Sequence, residues 1–324
     1  MSLRIEQLET LDALERIEPE WRGLWERDAA ATPFEGPDWV LPWTRHIWNG
    51  GRLRVLAVWN DTSLAALAPF FHWGYGGRPE IIRVSLLGAG TCGHLGMIAA
   101  PSFAAEGARL VLEHLTACRD EWHLCDLHQL RPGSPLLRAE FPEGLSGRDA
   151  PCGARTVLAL PGTVDGLPAE NRVIRDGRIE FVRAKRAADV GPLMGELFRF
   201  SGTRLPETER TRRFHLEAAG RFAARDMLRL CALRCGGRTI AVQYSLRRGE
   251  RHFYCLSGSD PAHARSSPAS VLLAEAVRQA IEEGAREIDF PSKHGDLKYR
   301  WRARDRVNRK LLIARSAGYV RKVA

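Results

Sequence analysis

The residues with the clearest chemical potential lie where a loop gives way to a helix, at Arg265-Ser266-Ser267-Pro268-Ala269-Ser270. Pro268 suits the first turn of a helix, because the N–H it lacks would find no partner there. The N–H groups of that turn have no internal acceptors, and the helix dipole adds positive potential at the same end. Small side chains on either side let an anion come up to the backbone. The chemistry this suits is capture of a phosphate or pyrophosphate. Many helices begin with Ser-Pro and bind nothing, since serine is a common cap. The junction therefore gains weight only from the elements that hold it.

Those elements run from Met227 to Phe290. Met227 to Arg234, Thr239 to Leu246 and His252 to Leu256 read as strands. The turns between them are Cys235-Gly236-Gly237-Arg238 and Arg247-Arg248-Gly249-Glu250, which makes an antiparallel meander. A polar loop, Ser257 to Ser267, leads into a helix that Pro268 opens. Val271, Leu272, Ala274, Val277 and Ile281 form a stripe at helical spacing. Gly284 ends the helix, and Glu287 to Phe290 reads as one more strand.

The order of three strands, anion loop, helix and strand resembles the core of the GNAT superfamily of acyl-CoA N-acyltransferases. In that family a Gln/Arg-x-x-Gly-x-Gly/Ala loop cradles the CoA pyrophosphate. Arg265 matches its first position, while Pro268 and Ser270 stand where the glycines would be. A closer resemblance is to the CelD-like acetyltransferases associated with bacterial cellulose biosynthesis. It rests on the stretch from Phe214 to Leu246, on SGSDPAHARSSPASVLL, and on IDF followed by LKYRW at Leu297 to Trp301. The resemblance implies an acyl-CoA co-substrate, acetyl-CoA or another acyl-CoA. The nucleotide would lie at Leu256, Ser257, Arg265, Ser266, Ser267, Ala269 and Ser270.

Acyl transfer to an amine needs a polarised thioester carbonyl, a base for the amine and a proton for the leaving thiolate. The strand ending at Cys255-Leu256-Ser257 would offer the polarising backbone N–H. Asp260, His263 and Asp289 are the candidate bases, and Tyr254 and Ser257 the candidate acids. Each has an ordinary structural explanation: Asp260 before Pro261 suits a turn, and Asp289 suits a pairing with arginine. Lys298 and Arg300 would meet an acidic group of either substrate. Cys255 is read as a half-buried strand cysteine rather than a nucleophile.

Earlier in the chain, Leu3 to Leu8 reads as a strand and Leu11 to Asp28 as a helix that Pro19 interrupts. A tryptophan-rich helix through Trp43 follows, read as a core wedge. The runs Arg52 to Trp59 and Leu64 to Trp73 form a hairpin, and Ile81 to Leu87 a strand. Four glycines at 88, 90, 93 and 96 then force tight turns. Gly88, Gly90 and Gly93 spell G-x-G-x-x-G, but no long helix follows, so the dinucleotide motif is not met. His94 is the polar residue of this loop that would shape an acceptor cleft. Ser102 to Cys118 reads as a helix and Trp122 to Leu127 as a strand. The expected fold is α/β (α+β): a tandem GNAT-like fold with mixed, mainly antiparallel sheets flanked by helices. Its halves would span 1–160 and 178–324 about a linker at 161–177, where relatives carry a basic helix. Ala187 to Phe200 and Glu207 to Ala224 read as helices.

Net charge is +9, from 48 Lys+Arg against 39 Asp+Glu, and the arginines are spread along the chain. Nucleic acid is therefore not the expected partner; tRNA enters only if the enzyme is of the FemABX or leucyl/phenylalanyl-transferase kind. A non-catalytic GNAT-like protein of a polysaccharide pathway is the third alternative. The seven cysteines lack disulfide or metal spacing, and no apolar run suits a membrane span. The expectation is a cytoplasmic enzyme without a metal.

Overall fold

The computed structural model describes residues 3–75, 78–91, 93–161, 179–201, 208–291 and 297–315. The chain divides into two compact units, Met1–Gly153 with Val307–Ala324, and Ala154–Arg306. The segment read as a linker lies outside the described residues except for Pro161.

In chain order the first elements are β1 (Leu3–Leu8), α1 (Leu11–Arg16), α2 (Glu18–Arg27), α3 (Pro37–His46), β2 (Arg52–Asn60), β3 (Ser63–Tyr75) and β4 (Arg78–Leu86). Then come β5 (Ile98–Ala99), α4 (Ala104–Ala117), β6 (Leu124–Leu130), β7 (Ser146–Ala159) and β8 (Ile179–Arg183). The remainder are α5 (Ala187–Ser201), α6 (Glu209–Ala223), β9 (Leu228–Cys235), β10 (Arg238–Arg248), β11 (Arg251–Ser259), α7 (Pro268–Glu282), β12 (Glu287–Phe290), α8 (Leu297–Arg300) and β13 (Arg304–Ala314). The architecture is the mixed α/β class expected.

In the first unit the strand order is β1-β2-β3-β4-β6-β13. Every neighbouring pair there is antiparallel except β4 and β6. Pro19 falls in the first turn of α2, so the break it imposes comes at Ile17. Trp21, Trp25, Trp39 and Trp43 are buried. The indole N–H of Trp21 donates to the Glu35 carbonyl at 3.2 Å and that of Trp25 to the Thr32 carbonyl at 2.7 Å. All four tryptophans form core, and the polar edges of Trp21 and Trp25 are satisfied.

The second unit repeats this scheme in the order β8-β9-β10-β11-β12-β7, with β11 and β12 the parallel pair. His215 of α6 lies against Tyr244, ring centroids 6.0 Å apart. The next residues along β10 on either side, Gln243 and Ser245, line a small cavity with Leu273, Ala276 and Gln279 of α7. Successive strand residues face opposite ways, so helices cover both faces of the meander.

The meander strands are longer than their apolar runs suggest, and β11 continues through Ser259, where the sequence reads as loop. A 3-10 helix, Pro261–Ser266, then replaces most of that loop. Strands β7 and β13 are not legible as strands in the sequence. Much of β7 is small and polar, and β13 begins with a charged run, so neither shows a clear alternation.

Candidate functional site

The site in the second unit starts from a divergence of two strands. β11 pairs with β12 only through Arg251–Glu287, His252–Ile288 and Phe253–Asp289. β12 then stops at Phe290 while β11 runs on to Ser259. On its other edge β11 carries a bulge. Tyr244 faces Leu256 and Ser245 faces Tyr254, which leaves Cys255 as the extra residue. A bulge breaks the ladder and turns backbone groups out of it. Gly258 fixes the path beyond the bulge: a Cβ there would fall 2.6 Å from Phe200 Cβ on α5.

The junction to α7 follows at once. The Asp260 N–H donates to the Ile240 carbonyl at 2.9 Å, and Asp260 Oδ1 accepts the Ala262 N–H at 2.9 Å. His263 Nδ1 lies 3.5 Å from Asp260 Oδ2, so these two candidate bases share one turn. Ser266 Oγ donates to the His263 carbonyl at 2.8 Å. Ser267 is left-handed, at φ 48° and ψ 54°, and Pro268 begins the helix. The conformation that favours glycine therefore falls on Ser267. Pro268 and Ser270 are already helical and need no glycine, which accounts for the departure from the Gly-x-Gly pattern. Arg265 is exposed, and Ala269 and Ser270 are half-buried.

The other predicted residues sit differently. Tyr254 is buried against Phe290, ring centroids 5.4 Å apart. Leu256 is half-buried beside the bulge, and Ser257 is buried opposite Gln243. Asp289 is 1% exposed and ion-paired with Arg155, which is also buried. Lys298 is fully buried, and its Nζ donates to the Pro291 carbonyl at 3.2 Å. Arg300 closes α8; its side chain lies outside the described residues. His94 belongs to the first unit. It is buried with φ 65°, and its carbonyl accepts the Thr32 hydroxyl at 3.0 Å.

Two charged clusters escaped the sequence. In the first unit Arg131 Nη2 donates to Asp28 Oδ2 at 2.6 Å, and its Nε lies 3.4 Å from Glu35 Oε1. Burial pushes the Glu35 carboxyl above its usual range. In the second unit Glu283, just after α7, meets Arg229 at 2.7 Å, His252 at 3.3 Å and Arg183 at 3.5 Å. Burial works against the Glu283 charge, but the hydrogen bonds from His252 and Arg229 and their charges bring its pKa down to about 2. This cluster is about 22 Å along α7 from Ser267, at 1.5 Å per residue, and braces the far end of the helix. Its four members come from β8, β9, β11 and the end of α7 and follow no motif.

Residues 169–300 match the model of the acetyltransferase (GNAT) domain, so the chain carries a GNAT-superfamily acetyltransferase domain there. A comparison with curated proteins gives no match. Among solved structures, FemX superposes with a TM-score of 0.61 at 11% identity, over 94% of this chain and 96% of that one. The C-terminal domain of a putative lysylphosphatidylglycerol synthetase from Agrobacterium fabrum gives 0.56 at 12% identity, over 94% and 93%. A tandem GNAT protein from the clavulanic acid biosynthesis pathway gives 0.50 at 13% identity, over 97% and 98%. At these identities the likeness is one of fold. No helix among the described residues is long and apolar enough to cross a membrane.

Proposed function

We propose that the protein is an acyl-CoA-dependent N-acyltransferase of the CelD-like kind, moving an acyl group from CoA to an amine. One observation carries this reading. The bulge at Cys255, the divergence of β11 from β12 and the left-handed start of α7 at Ser267 fall within one short stretch of chain. The helix start suits the pyrophosphate, with Arg265 beside it and the small Ser266, Ala269 and Ser270 leaving the backbone open. The backbone at Cys255–Ser257 suits the thioester end, where N–H groups outside the ladder polarise a carbonyl. His263, 3.5 Å from Asp260, is the base for the amine, directly or through water. Ser257 returns a proton to the leaving thiolate. Asp289, tied to Arg155, and Lys298, tied to Pro291, hold the strands; the buried His94 and Tyr254 support the packing of their own units.

Calorimetry of the full chain with acetyl-CoA and a longer acyl-CoA tests the reading. The expected result is a dissociation constant on the order of micromolar, lost in Ser267→Glu and kept in Ser267→Ala. Absence of binding by either CoA overturns it. Aminoacyl transfer from tRNA is the second reading, favoured by the net charge of +9, and a shift of aminoacyl-tRNA in a gel would mark it out. Failure of both ligands would leave a non-catalytic GNAT-like protein.

A further inference from the structure

We infer that Cys152, His128 and Asp126 of the first unit form a nucleophilic thiol site that takes an acyl group from an activated ester of the thioester class. Cys152 Sγ lies 3.3 Å from His128 Nδ1, and His128 Nε2 lies 2.7 Å from Asp126 Oδ1. This is the arrangement that activates a nucleophile: thiol to base, and base to an orienting carboxylate. Asp126 is buried, while Cys152 is half-buried and His128 exposed enough to be reached. Arg83 and Lys310 also face Asp126, at 3.1 and 3.5 Å. Burial alone would push its carboxyl up, but the close His128 ring, with the Lys310 and Arg83 charges, holds it below the usual range. No group of three or more such side chains among the described residues is placed to hold a metal ion, so coordination does not explain the cluster.

The backbone is shaped around these residues. Leu127 pairs with Leu311 and Leu130 with Arg309, so His128 and Gln129 together oppose Lys310 alone. Gln129 takes φ 61° within this bulge, a costly conformation for a residue with a Cβ. Its Oε1 accepts the Asn308 amide at 2.7 Å, which turns Nε2 the other way. That Nε2 lies 3.3 Å from where a Cβ would stand on Gly153, the residue after the cysteine. The Gln129 amide therefore stands against the backbone that follows the cysteine.

In the step itself Cys152 gives its proton to His128 Nδ1, and Sγ attacks the acyl carbon. A new C–S bond forms as the donor's C–S bond breaks. The leaving thiolate takes the proton back from His128, giving S-acyl-Cys152 and a free donor thiol. Nothing in this step draws on the cleft at Ser267.

The test is acetylation of the full chain by p-nitrophenyl acetate, followed by peptide mass mapping. Cys152 is expected to be modified ahead of Cys118 and Cys255, the other half-buried thiols described. His128→Ala should slow Cys152 about fivefold or more near pH 6.5 and leave those two unchanged. Ser267→Glu should leave the rate at Cys152 unaltered. Acetylation of wild-type Cys152 no faster than Cys118 and Cys255 overturns the inference. So does an unchanged rate in His128→Ala.

Discussion

The two units share one strand scheme and differ in what they do with its parallel pair. In the second unit β11 carries a bulge at Cys255, outlasts β12 and leads directly to the start of α7. In the first unit β4 stops at Leu86, and the loop after it is folded in, with residues 93–99 all buried. There the bulge falls on the other parallel strand, at His128 and Gln129 of β6. A parallel pair has two strand ends from which to present chemistry, and each unit has used a different one. The lesson is that the repeated scheme fixes where a site can arise, while bulges and loops decide whether it does.

The largest effects should come from the buried arginines. Arg131→Met removes the cation that faces Asp28 and Glu35, and Arg155→Met the one ion-paired with Asp289, each at a cost of about 3–5 kcal/mol in a denaturant melt. Hydrogen exchange should place the damage at residues 93–99 for Arg131→Met and at β12 for Arg155→Met. Full protection at its own site in either variant would break the assignment of that brace.

Two histidines separate catalysis from support. In an acyl-transfer assay His263→Ala should lower kcat about 100-fold, or about 3 kcal/mol, with acyl-CoA affinity unchanged. His94→Ala should lower stability by about 2 kcal/mol through the loss of buried contacts. An unchanged kcat in His263→Ala removes it as the base.

Acid titration should tell the units apart by sign. Glu35 has a raised pKa, so the folded state binds its proton more tightly. Stability relative to Glu35→Gln should fall as pH rises above the ordinary glutamate value of 4.5. Glu283 has its pKa lowered to about 2, so its contribution is complete above 4.5 and lost as pH falls towards 2. After allowance for solvent screening, that contribution is about 1–2 kcal/mol against Glu283→Gln. Urea melts across this range check both slopes, and slopes of the same sign would break the contrast.

The smallest effects belong to the helix caps. Thr10 Oγ1 accepts the Ala13 N–H at 3.1 Å in the first unit, and Thr208 Oγ1 the Thr211 N–H at 3.2 Å in the second. Each change to alanine should cost about 1 kcal/mol. A much larger loss at either cap would mean that the helix start carries more than its own turn.

The legible parts of this chain are those whose physics is local. Pro268, the stripe from Val271 to Ile281 and Gly284 mark α7 within one or two residues of its bounds. The Gly-containing turns at 235–238 and 247–250 fix the meander. The tryptophans of α2 and α3 read as core and are core. The junction at Ser267 was visible as a helix start, although its left-handed residue was not, because serine rarely takes that conformation. β7 and β13 stayed hidden. Their partners, β12 and β6, lie more than a hundred residues away in sequence, and a strand completed from such a distance needs no strong pattern of its own.

The sequence by itself determined the meander, the helix start, the fold class and the likeness to GNAT enzymes, because propensity, turn chemistry and periodicity act over a few residues. Only the tertiary structure decided which charges meet. It buried Asp289 on Arg155, gathered Arg183, Arg229 and His252 around Glu283, and brought Cys152 to His128. Such meetings depend on register, and one extra residue at Cys255 or Gln129 redirects the side chains beyond it.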